Sequence, residues 1–322
     1  VDYTTPKLDL NLLIPIFKCS LNESTNLFNS SQQQITEIIE KSFTKDSTHS
    51  RKVKKSKQIF LDQDYIASLE SQATTELQLC NKHNINYIVY ENEDYPTPLR
   101  QIALSPLILF YKGSLPSDEE LKQSLAVVGS RDCEEYGQNI AHSAGKILSN
   151  NGWWNISGLA AGCDTEGHQG SLAAQGRTGA VLAHGLATDI YPPANKDLAA
   201  EIIHKDGFLL SELAPSASPA PHFFTWRDRL QSGLTKGIFI VETGTSGGTL
   251  HTANYALQQG KQVFVWEPTS PKLLPTDKIA GNLIFAGQKE ATSDFKRKVS
   301  HKLTTIIPIS CPLEFKDHFA QL

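Results

Sequence analysis

Leu125 to Asn150 reads LAVVGSRDCEEYGQNIAHSAGKILSN, the form of one strand, one loop and one helix. Leu125-Ala126-Val127-Val128 is an apolar run of the length of a buried strand, and it stops abruptly at Gly129-Ser130-Arg131. From Gly137 onward Ile140, Ala141, Ala144, Ile147 and Leu148 recur at the spacing that puts them on one helix face. A strand, a Gly-Ser-Arg loop and a helix make the opening unit of an open α/β sheet. Such loops lie outside the carboxyl ends of their strands, where these folds bind ligands. Backbone N–H groups beside a helix N-terminus, together with a guanidinium, suit a phosphate. A tight turn carrying a surface arginine has the same spelling, and the motif alone does not separate the two.

Outward from this stretch the alternation is regular. Strands are expected at Leu125–Val128, Trp154–Ile156, Thr178–Leu182, Phe208–Leu210, Gly237–Val241 and Gln262–Val265. Helices are expected between them, at Gly137–Asn150, Thr165–Gln175, Leu198–Lys205, Phe224–Ser232 and Thr249–Gln259. This rhythm predicts an α/β fold, a mostly parallel sheet with helices on both faces. The loops that follow the strands are Gly129-Ser130-Arg131, Ser157-Gly158-Leu159-Ala160, His184-Gly185-Leu186, Ser211-Glu212-Leu213 and Glu242 to Thr249. In a parallel sheet all of them line one edge, which favours a phosphate pocket over an isolated turn.

Upstream, Asn86–Tyr90 and Pro106–Tyr111 are expected to extend the sheet as edge strands. Residues 1 to about 80 are rich in Ser, Gln, Asn, Thr and Lys, yet apolar residues recur at helical spacing in Leu8–Ile16, Ile35–Phe43 and Tyr65–His83. The organisation expected is a small helical N-terminal domain (1–83), the sheet domain (84–268) and a C-terminal tail (269–322) without a clear winged helix. Within the tail, Asp294–Leu303 is charged and helix-like, and Thr304–Ile309 has the composition of a strand.

The chain has 322 residues and a formal net charge of −4. Between Leu125 and Glu267 nine Lys/Arg stand against thirteen Asp/Glu, so a nucleic-acid site there must be a local pocket, not a general basic face. The cluster Arg51-Lys52-Val53-Lys54-Lys55-Ser56-Lys57 reads first as a solvated loop. No run approaches the ~18 apolar residues of a membrane helix. Cys19, Cys80, Cys133, Cys163 and Cys311 are widely spread, with no C-x-x-C pair, which suggests a reducing, cytoplasmic setting. Methionine is absent, so compact motifs carry more weight here than long registers.

Glu242 to Thr249 joins a buried strand to a helix. Gly247-Gly248 lets backbone approach a ligand, and Thr249 is placed to cap the helix or to bond a phosphate oxygen. In Trp226-Arg227-Asp228-Arg229 the two arginines are two apart and point to different faces. A salt bridge to Asp228 or Glu212 accounts for at least one of them. Asp164 and His168, four apart, form too small a set for a metal and read as a capping Asp and a hydrogen-bonded His. Cys163 has no evident activating partner and reads as buried and inert. No metal, cofactor or catalytic residue is expected.

Taken together these segments resemble the DNA-processing DprA (Smf) family. The resemblance runs from about residue 84 to 268. It rests on Val128-Gly129-Ser130-Arg131 with Tyr136-Gly137, Ser157 to Asp164 with His168, Leu182 to Leu186, and Tyr191-Pro192 with Asn195. Ser211-Glu212, Arg227-Asp228-Arg229 with Ser232-Gly233-Leu234, and Gly247-Gly248-Thr249 to Ala253 complete it, with Asp94-Tyr95-Pro96, Leu99 and Lys112-Gly113 upstream. The resemblance implies an extended Rossmann-like domain that binds single-stranded DNA, forms a homodimer and loads the recombinase RecA during natural transformation. It carries over Gly129, Ser130 and Arg131 as phosphate contacts, with Arg227, Arg229, Gly247, Gly248 and Thr249 beside them. Ser157 and Gly158 join the candidate set from the neighbouring loop. Asp228 departs from the Asn common in the family and adds a negative charge near the proposed strand.

The main rival is a Rossmann-like nucleoside-monophosphate phosphoribohydrolase, which also has a Gly-rich loop at a helix start. That class needs a glutamate three residues after the threonine, where this chain has Thr252, and Glu242 precedes the loop. A dinucleotide-binding oxidoreductase fits less well, because Gly129-Ser130-Arg131 has no G-x-G-x-x-G. The expectation is therefore a non-catalytic protein.

Overall fold

The strand at Ser124–Val128 (β3) has all five residues buried, and the sheet is built outward from it. In the computed structural model Leu125 and Val127 face one side, against Ala141, Ala144 and Leu148 of the helix Glu135–Asn150 (α4). Ala126 and Val128 face the other, against Leu250, Ala253 and Leu257 of the helix Thr249–Gln258 (α8). A strand alternates its side chains between faces, so two covered faces require an unbroken apolar run, as at Leu125–Val128.

The structure describes residues 63–268, 277–301 and 306–319. The chain divides into two compact units, Val1–Lys82 and His83–Leu322. The described part of the first is the helix Gln63–Lys82 (α1), where helical spacing from Tyr65 predicts one. The helices expected at Leu8–Ile16 and Ile35–Phe43, and the basic cluster Arg51–Lys57, lie outside the described residues.

The second unit carries a nine-stranded sheet. Its strands are β1 (Asn86–Val89), β2 (Ile108–Gly113), β3, β4 (Trp154–Ser157), β5 (Thr178–Val181), β6 (Phe208–Ser211), β7 (Gly237–Ile240), β8 (Gln262–Trp266) and β9 (Ile306–Ile309). The order is β1-β2-β6-β5-β4-β3-β7-β8-β9. Six of the eight pairings are parallel; β1–β2 and β2–β6 are antiparallel. The short helices Thr97–Arg100 (α2) and Asp118–Leu121 (α3) flank β2 in the chain. The longer connections are α4, Cys163–Ala173 (α5), Lys196–His204 (α6), Pro221–Leu234 (α7) and α8. The fold is a mostly parallel, Rossmann-like sheet with helices.

Beyond Pro268 come Ala280–Phe285 (α9), Ser293–Lys298 (α10), β9 and Phe315–His318 (α11). The sheet does not end at the expected limit of 268, since β9 pairs in parallel with β8 from Val263–Ile306 to Trp266–Ile309. Phe315 packs edge-on against Phe239 and Phe264, at 4.7 and 5.5 Å between ring centres. Burial of these rings makes the segment part of the core, although its charged composition reads as a tail.

The chain leaves β3 to one side through β4, β5 and β6, then returns through α7 to place β7 on the other side of β3. The connection therefore reverses at the β3/β7 pair. In open α/β sheets the crevice outside the strand ends at such a reversal is the ligand position.

Candidate nucleic-acid interface

Gly129-Ser130-Arg131 follows β3, and Glu242 to Gly248 follows β7 on the adjacent strand. The two loops are tied together where the Ser130 N–H donates to the Glu242 carbonyl at 2.8 Å. The Cys163 N–H donates to the Ser130 carbonyl at 3.1 Å, anchoring the same loop to the start of α5. Arg131 is exposed, and its guanidinium lies 5.0 Å from the ring centre of Phe224 in the first turns of α7. Tyr191 stands 5.4 Å from Phe224 on a ring-centre measure and is 43% exposed. A cation and two aromatic rings thus form one row beside the loop. Phe224 was not among the residues the sequence singled out, because its partner is 93 positions away (224 − 131) and helical periodicity alone assigned it to a helix.

The second loop ends at the N-terminus of α8. Gly248 is the N-cap residue and no side chain caps the helix, so Thr249 is its first residue and not its cap. First-turn N–H groups have no partner within their own helix, and with the positive end of the helix dipole they suit an anion. Gly247 has φ of +121°, a conformation that favours glycine. A Cβ added at Gly247 or Gly248 would meet no protein atom within 4 Å, so this backbone is open on its outer side.

The loop after β4 is held differently. The Ser157 hydroxyl donates to the Val127 carbonyl at 2.7 Å and accepts from Gln231 at 3.1 Å, so it is buried in the scaffold. Gly158 donates its N–H to Asp164 Oδ2 at 2.9 Å. A side chain there would displace Arg227: a Cβ would lie 2.1 Å from Arg227 Nη1. Asn195 donates to the Leu159 carbonyl at 2.9 Å and to Thr165 Oγ1 at 2.8 Å, completing the support.

The two arginines of α7 part company, as their spacing predicts. Arg227 is buried across Gly158, donates to the Val181 carbonyl at the end of β5, and has Nε 3.3 Å from Asp228 Oδ1. Arg229 turns away into a bidentate pair with Glu212, both contacts at 2.5 Å. It also donates to the carbonyls of Trp226 and Leu104, each at 3.0 Å, and stacks 3.9 Å from the Trp226 ring centre. Arg229 therefore makes the structural salt bridge, and both of its Nη groups are taken up by protein acceptors.

Charge around the crevice is balanced locally. Lys278 Nζ lies 2.6 Å from Asp132 Oδ2 and 3.9 Å from Glu134 Oε1, offsetting the acids that flank Arg131. The Glu242 side chain is buried and accepts the Glu134 N–H at 3.2 Å. Burial raises its affinity for a proton, with that bond opposing. Asp164 accepts from the preceding loop and does not cap its own helix, and burial raises its pKa against the pull of Arg227. His168 is fully buried against Thr178 at 2.7 Å, and burial, then Arg227, pushes its pKa down to about 3, so it is neutral. Burial pushes the Asp228 carboxyl up to about 7, with Arg227 the main opposing influence. Cys163 is buried as its sequence suggests, but its free thiol shares a hydrogen bond with the Cys133 thiol, a partner no spacing rule identifies.

The match to known proteins covers this whole site. A family model described as DNA recombination-mediator protein A matches residues 86–293. The chain belongs to that family. DNA processing protein DprA of Bacillus subtilis is 36% identical over 183 residues, 57% of this chain and 61% of the relative. DprA of Streptococcus pneumoniae is 39% identical over 173 residues, 53% and 58% of the two chains. Protein Smf of Escherichia coli is 37% identical over 191 residues, 59% and 50%. The aligned part thus spans about half to three fifths of these relatives' lengths. An X-ray structure of S. pneumoniae DprA superposes with a TM-score of 0.64 at 24% identity, covering 97% of this chain and 93% of that one. A Helicobacter pylori DprA structure, whose subject is its single-stranded DNA binding mode, superposes at 0.54 with 22% identity, covering 68% and 96%. Both share the fold described above.

Proposed function

We propose that the chain binds single-stranded DNA in the crevice between the loops after β3 and β7, and that it acts without catalysis as a recombination mediator. The observation that carries this reading is the row formed by Gly129-Ser130-Arg131, Phe224 and Tyr191 beside the open N-terminus of α8. One phosphate is bound by loop N–H groups and the Arg131 guanidinium, and the Gly247-Gly248-Thr249 backbone receives another. Phe224 and Tyr191 offer faces on which unpaired bases stack, which a duplex cannot supply. Ser157, Gly158 and Arg227 shape the floor of the site, and Arg229 fixes α7 through Glu212.

Family membership supports two further assignments: loading of a RecA-class recombinase onto the bound strand, and action as a homodimer. Binding is tested by fluorescence anisotropy with single-stranded and duplex oligonucleotides over a salt series. Preference for the single strand, with affinity falling steeply as salt rises, supports the assignment. Equal weak binding to both refutes it. Loading is tested by whether the protein speeds recombinase filament formation on strands already coated with a single-strand-binding protein.

A further inference from the structure

Arg227 lies between two buried carboxyls. Its Nε is 3.3 Å from Asp228 Oδ1, and Asp164, held at the start of α5, faces the same guanidinium. One guanidinium balances one carboxylate, so the second needs another source of compensation. The groups that face Asp228 come from four elements. Arg227 lies on its own helix, Asp164 on α5 and Arg131 on the loop after β3, and Thr252 of α8 donates a hydrogen bond. Arg229, one residue on, is committed to Glu212. Asp228 is 7% exposed, so water does little to stabilise its charge. Arg131, whose guanidinium lies 5.0 Å from the ring of Phe224, one helical turn before Asp228 on the same face of α7, is thus the next cation to this cluster and also the cation offered to the phosphate.

We infer that Asp228 takes up a proton when a phosphodiester of single-stranded DNA engages Arg131, so that strand binding and protonation of this buried carboxyl are one coupled equilibrium. The inference rests on the single-strand reading above and specifies its ionic chemistry. A phosphate that shares Arg131 withdraws one of the two cations that keep Asp228 ionised and adds a negative charge nearby. Both changes favour the neutral carboxyl. The free carboxyl already titrates near neutrality, raised by burial against the opposing arginines, so the transfer requires little work. Binding that raises a proton affinity is strongest below the free-state pKa. It weakens as pH rises through the interval between the free and bound values, by at most about tenfold per pH unit for one proton.

The test uses the full chain and a fluorescent oligothymidylate, with affinity measured at constant ionic strength from about pH 6 to about pH 8.5. Calorimetry at about pH 7.5, in buffers of differing ionisation enthalpy, reports net proton uptake. The expected result is flat affinity below neutrality, a fall of about tenfold towards alkaline pH, and a fraction of a proton taken up. Asp228→Asn should abolish most of that pH dependence and bind more tightly than the native chain at the alkaline end. Native binding that is flat across the range with no proton uptake would overturn the proposal while leaving the single-strand assignment intact. So would an unchanged slope in a folded Asp228→Asn protein. Failure to bind any single strand at any pH would refute the assignment itself and the proposal with it. If the variant does not fold, proton uptake by the native chain decides.

Discussion

The carboxylate of Glu212 grips Arg229 through two contacts of 2.5 Å, while Arg227, two residues earlier on the same helix, lies across Gly158 on the other side. One helix thus uses one arginine to fix itself to the end of β6 and the other to shape the floor of the crevice.

Removing one member of the Arg229–Glu212 pair should cost stability rather than affinity. Both side chains are largely buried, and an orphaned buried charge costs about 3–5 kcal/mol. Arg229→Ala should lower the urea midpoint accordingly. Any folded fraction should bind single-stranded DNA close to normally, measured at a temperature where it remains folded.

Gly248 offers the converse separation. A side chain there meets nothing in the protein, so Gly248→Ala should leave thermal stability within about 0.5 kcal/mol of the native chain. The added methyl stands where a phosphate must approach the α8 N-terminus, and affinity should fall several-fold. Unchanged affinity would remove this loop from the site.

Phe224 is half-buried at the helix start, and the proposed site assigns it a contribution to binding. Phe224→Ala should weaken single-strand affinity by about five- to 150-fold, the range of one lost base–aromatic stack. Phe224→Trp should largely restore it. Anisotropy titrations of the three proteins compare these directly.

Two buried groups contribute to the pH dependence of folding with opposite signs. His168 has its pKa lowered from 6.5 to about 3. Its contribution is intact above the unfolded value and is lost as pH falls below it, by about 1.4 kcal/mol per unit at most. Asp228 has its pKa raised from 3.8 to about 7, so its contribution is favourable at low pH and declines as pH rises through that interval. Between about pH 4 and 6.5 the two slopes oppose. Asp228→Asn removes one of them and should steepen the loss of stability on acidification, read as urea midpoints over that range. At about pH 8 the same variant should be the more stable protein, by roughly 1–3 kcal/mol, because Arg227 keeps Asp164 as a partner.

Much of the architecture is legible in the sequence for one physical reason. A parallel strand covered on both faces must be an uninterrupted apolar run ending at a Gly- or Ser-rich loop, and Leu125–Val128 and Gly237–Val241 read that way. The expected helix start at Thr165 falls two residues inside the observed one at Cys163, because the residues leading into α5 carry no apolar period to mark them. Thr304–Ile309 reads as a strand, and β9 occupies Ile306–Ile309, but its place in the sheet shows only in its pairing with β8. Within the site, the Gly-Ser-Arg loop was visible as spelling. Its row with Phe224 was not, since contacts across such separations leave no local period. The two arginines were distinguished in kind by their spacing, but only the packing of Gly158 and Glu212 decides which does what.

Arg131 is the point on which the functional account turns. The surrounding domain is net acidic and Arg131 is exposed on the Phe224 ring, with no carboxylate in ion-pair contact with it among the described residues and Asp228 as the buried carboxyl that feels its charge. The most direct measurement is single-strand affinity over a salt series for the native chain and Arg131→Ala. The account predicts a loss of at least about tenfold at moderate salt, a shallower log–log salt slope by about 0.7 for the lost phosphate contact, and an unchanged unfolding midpoint. Native affinity and slope in a folded Arg131→Ala protein would contradict it.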